Sequence, residues 1–274
     1  MLWLECIASA QFLTVSGIAR PGGEPAADQP RTFALGLAAA VAERCGGALV
    51  AAYLHGSSAL GGWVAERSDV DVLFVAADDL APAAIAPVGE LLVASSAACP
   101  GRGLECSLVT AGPAANPSPP WPFVLHVASD LGGEHAPRLY LGAERPGDPD
   151  LLMHYAVCRE AGIALAGPPP RQVIGPVDRQ VILGYLADEL AWGLTHAPEN
   201  YAVLNACRAL VYLADGQIVS KVAAGEMALD GGLGPHGLLR RALDQQRARA
   251  PERPPGREAA RFVRRVRRRL AAAG

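Results

Sequence analysis

A chain of 274 residues that is 51% hydrophobic and only 19% charged carries enough apolar material for one or two packed cores, which excludes intrinsic disorder. Its formal net charge of −3 supplies no global field toward nucleic acid, so none is expected as a partner. The six cysteines, at 6, 45, 99, 106, 158 and 207, lack zinc spacing and read as free thiols of a reducing compartment; no apolar run approaches the roughly eighteen residues that span a bilayer, so a cytoplasmic protein without a membrane partner is expected.

Residues 1–30 begin apolar, MLWLECIASAQFLTVSG, with Glu5 where a secretory leader would be basic. They pass into a stretch rich in Pro, Gly, Ala and Asp that is too poor in apolar side chains to order itself, so a flexible extension is expected. From Arg31 to Cys45 the apolar residues Phe33, Leu37 and Ala40 or Val41 recur at helical spacing, and Gly46-Gly47 stops the helix. An apolar strand, 48–54, then reaches His55-Gly56-Ser57-Ser58, and a loop through Gly61-Gly62 leads to Ser68 and Asp69-Val70-Asp71 at the head of a second strand, ending near Val75.

Residues two apart on a strand face the same side, so Asp69 and Asp71 point one way while Val70 and Val72 point the other. Two carboxylates aimed together repel unless a cation lies between them. Mg²⁺, which prefers a few carboxylates plus substrate phosphates, suits such a pair. Gly56 lets the backbone approach a ligand closely, and Ser57 adds a hydroxyl to a cradle for phosphate oxygens. Either half alone is common as an ordinary turn or a solvated strand end.

Residues 81–98 form a helical run, with Pro87 delaying or kinking it, and Cys99-Pro100-Gly101-Arg102-Gly103 ends it. Leu104 to Thr110 reads as a strand on which Glu105 is the only acid, a costly residue there without a metal, a proton or a partner. The stretch 111–122 reads as a loop, and Trp121 to Val127 resumes an extended pattern. A helical run follows Asp148-Pro149-Asp150 as far as Gly162, then a short strand, 163–166, and the boundary Gly167-Pro168-Pro169-Pro170. Beyond it the chain reads as helices over 178–195, 199–214, 220–229, 235–250 and 256–273, with Asp178 and Ser220 as N-caps.

Gly232-Leu233-Gly234-Pro235-His236-Gly237 matches G-x-G-x-x-G in letters only, because no strand precedes it. The basic tail 261–269 reads as a solvated helix packing Phe262, Val263, Val266 and Leu270.

A strand, Gly-Ser, about a dozen residues and Asp-x-Asp opening another strand resembles the nucleotidyltransferases related to DNA polymerase β. Four segments, HGSSALGGWVAERSDVDVLFV, LECSLV, DPDLLMHYAVCREAGIALAGPPP and ENYAVLNACRALVYLADGQIVSKVAAGEMAL, together resemble the streptomycin/spectinomycin adenylyltransferases across about residues 33–250. The resemblance implies an α/β polymerase β-like nucleotidyltransferase domain over 31–173, a mixed sheet with flanking helices, followed by an all-α helical bundle domain over 177–274 that completes the active-site cleft.

It implies Mg²⁺-dependent transfer of AMP from ATP to a hydroxyl of an aminoglycoside or aminocyclitol, which confers antibiotic resistance, by a monomer. Asp69 and Asp71 match acids that hold Mg²⁺, and Ser57 and Ser68 match hydroxyls that touch the phosphates. Glu105 matches the third carboxylate, metal-adjacent and general base. Asp150 matches an acid near the nucleotide, Arg208 and Lys221 match basic residues reaching the triphosphate, and Trp192 matches an aromatic lining the drug pocket. The family's longer acidic loop after that tryptophan is replaced here by Gly193 to Pro198, with Glu199 the only acid nearby, and Asp244-Gln245-Gln246 stands where a tyrosine stacks on adenine. The same chemistry on an endogenous small-molecule or protein hydroxyl, and a non-catalytic nucleotide-binding regulator, are the alternatives.

Overall fold

The computed structural model describes residues 28–129 and 136–273. The extension expected over 1–30 lies outside the described residues except for its end, where Gln29 and Pro30 already open the first helix. The first part of the chain runs α1 (Gln29–Arg44), β1 (Leu49–Leu54), α2 (Gly56–Ala59), β2 (Val70–Ala76), α3 (Ile85–Ser95), β3 (Leu104–Thr110), α4 (Ala111–Ala115), β4 (Leu125–Ala128), β5 (Arg138–Leu141), α5 (Leu151–Ala161) and β6 (Ile163–Ala166). The second part is helical: α6 (Pro170–Val173), α7 (Arg179–His196), α8 (Glu199–Asp215), α9 (Lys221–Asp230), α10 (His236–Gln246) and α11 (Arg257–Ala271).

Among the described residues six strands form one mixed sheet in the order β5-β4-β3-β2-β1-β6, in which β2 and β3 are parallel and every other neighbouring pair is antiparallel. Parallel neighbours need a crossover, and α3 supplies it. Strand alternation sorts the side chains. Val70, Val72 and Phe74 of β2, with Leu104, Cys106 and Leu108 of β3, pack on one face against Phe33, Leu37 and Val41 of α1 and Val88 and Leu92 of α3. Leu73, Val75 and Val109 face the other way and share a core with α5 and the helical part, including Leu151, Leu186 and Leu210. Asp71 and Glu105 therefore share the face that meets the helices.

Local chemistry sets the helix ends. Asp178 Oδ1 accepts from the backbone N–H groups of Gln180 (2.7 Å) and Val181 (3.3 Å), and Ser220 Oγ accepts from that of Ala223 (3.1 Å). These contacts satisfy first-turn donors that have no partner within the helix. Gly216, at φ 76°, ends α8 in the left-handed conformation. The helix α11 buries Phe262, Val263, Val266 and Leu270 and leaves Arg261, Arg264, Arg268 and Arg269 exposed.

Three segments differ from the sequence reading. The stretch expected as a loop from 111 begins as the short helix α4, where Pro113 falls in the first turn and removes no helical hydrogen bond. The extended run expected from Trp121 starts only at Leu125, because Trp121 adopts a positive φ of 64°. Strand β5 is too short, and too closely flanked by proline and glycine, to stand out as a pattern.

Candidate active site

Strand β1 delivers the chain to His55, whose backbone N–H donates to the carbonyl of Asp71 at 3.0 Å, and Gly56 then turns with φ 60°. A Cβ at Gly56 would lie 1.9 Å from Asp71 Oδ2, so glycine is required both by the left-handed backbone and by the carboxylate against it. Ser57 Oγ and Ser58 Oγ are buried and have no hydrogen-bond partner among the described residues, unlike the great majority of buried hydroxyls. Ser68 is buried as well; its Oγ accepts from the backbone N–H of Val64 at 3.0 Å, which leaves its own proton to donate. Gly103 passes so close to β4 that a Cβ there would lie 1.8 Å from the Ser129 carbonyl and 3.0 Å from Asp69 Oδ1.

The parallel register of β2 and β3 sets Asp71 opposite Glu105. Burial first, then the neighbouring Glu105 and Asp69 carboxylates, pushes the Asp71 carboxyl well above the usual carboxylate range. Three acids in a low-dielectric pocket with orphaned serine hydroxyls beside them suit a divalent cation carrying phosphate oxygens. Asp69 and Asp71 would hold it, an arrangement of one or two carboxylates that Mg²⁺ shares with substrate oxygens. No group of three His, Cys, Asp or Glu side chains among the described residues forms a protein-only metal cage.

Glu105 instead meets His154, whose Nε2 lies 3.4 Å from Oε1. Burial alone would raise the Glu105 carboxyl; His154 outweighs it, with smaller help from His126 and His55, and holds the acid ionised. Burial likewise disfavours charge on His154, and Glu105, with Asp71 and Asp150 behind it, reverses that and holds the imidazole protonated.

The facing wall comes from the helices. Asp150, just ahead of α5, accepts from the Tyr185 hydroxyl of α7 at 2.8 Å. Glu189, one turn along α7, accepts from the Tyr201 hydroxyl of α8. Arg208 donates to the Val219 carbonyl through Nε (3.1 Å) and to Asn205 Oδ1 through Nη1 (3.2 Å). Lys221 Nζ sits 4.2 Å above the centre of the Tyr201 ring. Burial and the Arg208 charge pull the Lys221 ammonium down to about 8, although Asp69, Asp71 and Glu189 resist. Between the walls lies a cleft of about 300 Å³.

The structure brings Gly56, Ser57, Ser68, Asp69, Asp71, Glu105, Asp150, Arg208 and Lys221 onto this one cleft. Trp192 is not on it: the indole is 48% exposed, stacks on His196 and touches only the edge of Tyr201. Nor does Glu199 face it. That carboxylate is fully buried behind α8 and pairs with Arg241 (2.8 Å) and Arg253 (2.9 Å). Among the lining residues that escaped the sequence reading are His154, Tyr185, Glu189 and Tyr201. Their signal is present as helical spacing, with Tyr185 and Glu189 four apart on α7 and Asp150, Met153, His154 and Val157 at i, i+3, i+4 and i+7 along α5.

Residues 172–271 match the family model described as the aminoglycoside adenylyltransferase C-terminal domain. The fold is similar to that of the spectinomycin adenyltransferase AAD(9) from Enterococcus faecialis, solved with ATP and spectinomycin, at a TM-score of 0.63 and 15% identity, covering 88% of this chain and 98% of that one. A comparison with curated protein sequences finds no match.

Proposed function

We propose that the chain, whose residues 172–271 match the aminoglycoside adenylyltransferase C-terminal domain, is a nucleotidyltransferase that transfers AMP from ATP to one hydroxyl of an aminocyclitol or aminoglycoside, with Mg²⁺. One observation carries the reading. Asp71 stands in register with Glu105 on the sheet, with Gly56 against it, and across the cleft Arg208 and Lys221 supply positive charge for a triphosphate.

In this reading the orphaned Ser57 hydroxyl and the Ser68 proton donate to phosphate oxygens, and Arg208 and Lys221 bind the β- and γ-phosphates as charge builds on the leaving group. Mg²⁺, held by Asp69 and Asp71, supplies neutralisation of phosphate charge when bound. Glu105, kept ionised, takes the proton from the acceptor hydroxyl as its oxygen bonds to the α-phosphorus, and the bond from that phosphorus to the bridging oxygen breaks to release pyrophosphate. Asp150 and Glu189, each already accepting from a tyrosine, present carboxylate oxygens to a polyhydroxylated, amine-bearing acceptor.

Release of pyrophosphate from Mg-ATP by the purified chain, measured against spectinomycin, streptomycin and a panel of other aminocyclitols, tests this directly. The expected result is release that needs one of these acceptors and vanishes in Asp69→Asn. The position of Trp192 away from the cleft favours a second reading, the same transfer to an endogenous hydroxyl. Release that requires a cell extract of small molecules and ignores every drug would select it. Binding of Mg-ATP without any release would select a regulator.

A further inference from the structure

We propose that His154 is the positioning residue of the proton acceptor: its imidazole, 3.4 Å from Glu105 Oε1 and braced by the ring of His55, fixes the Glu105 side chain toward the acceptor hydroxyl. This rests on the transfer chemistry set out above and adds a residue to it.

The geometry is specific. Glu105 is a four-bond side chain on the middle of a sheet and reaches either toward Asp71, its register partner on β2, or away along its own face. What decides between them is the helix across the cleft. Buried Leu151, Leu152 and Tyr155 clamp α5 into the core, so His154, one turn in and flanked on the helix by buried Val157 and Cys158, is carried to a fixed place over β3. The imidazole is then held from behind, because its ring centre lies 4.9 Å from that of His55, a residue only 2% exposed whose backbone is tied to Asp71.

Its Nδ1 is buried without a partner among the described residues, so the polar contact that orients the ring there is the one to Glu105. A carboxylate engaged through Oε1 by a rigid imidazole keeps one oxygen for a substrate proton. The other groups near His154 are committed elsewhere, Asp150 to Tyr185 and His126 to Ser107.

The test uses the full chain with two substitutions, His154→Leu, which keeps the bulk and loses the donor, and His154→Gln, whose amide can reach the Nε2 position. The expected result is a fall in kcat of about 10²-fold for the leucine variant, the scale of a misplaced catalytic group. KM for ATP should stay within about twofold in both variants, with most of the lost kcat regained in the glutamine variant. Equal losses in both, accompanied by a raised KM, would reduce His154 to a packing residue and overturn the proposal, as would an unchanged kcat in the leucine variant. A second measurement needs no acceptor: the exchange-protected Nε2 proton of His154, observed by NMR, should disappear in Glu105→Leu, which leaves no hydrogen-bond acceptor at that position. If no acceptor supports turnover in the wild-type chain, the transfer reading fails; if that proton is indifferent to Glu105→Leu, the positioning proposal fails on its own.

Discussion

Replacing Gly56 with alanine separates two demands that fall on one residue. The backbone there is left-handed, φ 60°, which costs a residue with a Cβ about 1–2 kcal/mol. The added carbon would also lie 1.9 Å from Asp71 Oδ2 and 2.6 Å from its carboxyl carbon, so the carboxylate must move by more than an ångström to admit it. Gly61, five residues on, has φ 69° and nothing within 4 Å of where a Cβ would go. Gly61→Ala therefore carries the strain without the collision. Gly61→Ala should lose about 1–2 kcal/mol in thermal unfolding, a few degrees in Tm for a chain of this size, and Gly56→Ala at least as much. Pyrophosphate release should fall by about 10²-fold or more in Gly56→Ala alone, since an ångström's displacement of a group in the reacting constellation costs on that order. Turnover that survives Gly56→Ala, or that falls as far in Gly61→Ala, would refute the argument that Gly56 shapes the Asp71 site.

Glu199→Ala should destabilise the helical part by about 1–3 kcal/mol in urea unfolding, because it removes the buried carboxylate that two partly exposed guanidinium groups, Arg241 and Arg253, share; a loss below about 0.5 kcal/mol would contradict that role. Burial raises the Glu199 carboxyl, but the hydrogen bonds from Arg241 and Arg253 win and hold it below the usual value. Its contribution is thus present above the ordinary carboxylate pKa and is lost as pH falls through the depressed one, a loss absent from the pH–stability curve of Glu199→Gln. Lys221 keeps its charge only up to about pH 8, so affinity for ATP should weaken as pH rises from 7 to 9, and Lys221→Arg should flatten that limb; the same limb in both proteins would clear Lys221. Chelation with EDTA should stop pyrophosphate release and added Mg²⁺ restore it, whereas continued release in EDTA would remove the cation from the account.

Much of the fold was legible because its signals are local. The helices of the second part fall within a few residues of the spacing read from the chain, and Asp178 and Ser220 cap where their side chains predict. Alternation along Asp69-Val70-Asp71 gave the facing of the two acids, and the valines do pack on the opposite side of the sheet. Side chains whose importance comes from a partner far along the chain were not legible. His154 matters because β3 brings Glu105 beneath it, a separation of 49 residues that no periodicity records. Glu199 stood out only as the one acid near the shortened loop, and its pairing was invisible because the arginines that bury it, at 241 and 253, arrive from later segments. Trp192 was placed by likeness of context, yet the three-dimensional path of α7 turns Glu189, not the indole, into the cleft.

The most direct test of the account is the turnover of Glu105→Gln set beside its affinity for Mg-ATP. The substitution keeps the shape and removes the proton acceptor. Pyrophosphate release should fall by about 10²–10⁴-fold, the range that a positioned base contributes, while the dissociation constant for Mg-ATP stays near the wild-type value. Turnover close to wild type would remove Glu105 from the proton transfer, and with it the reading of this cleft as the place where a hydroxyl is activated.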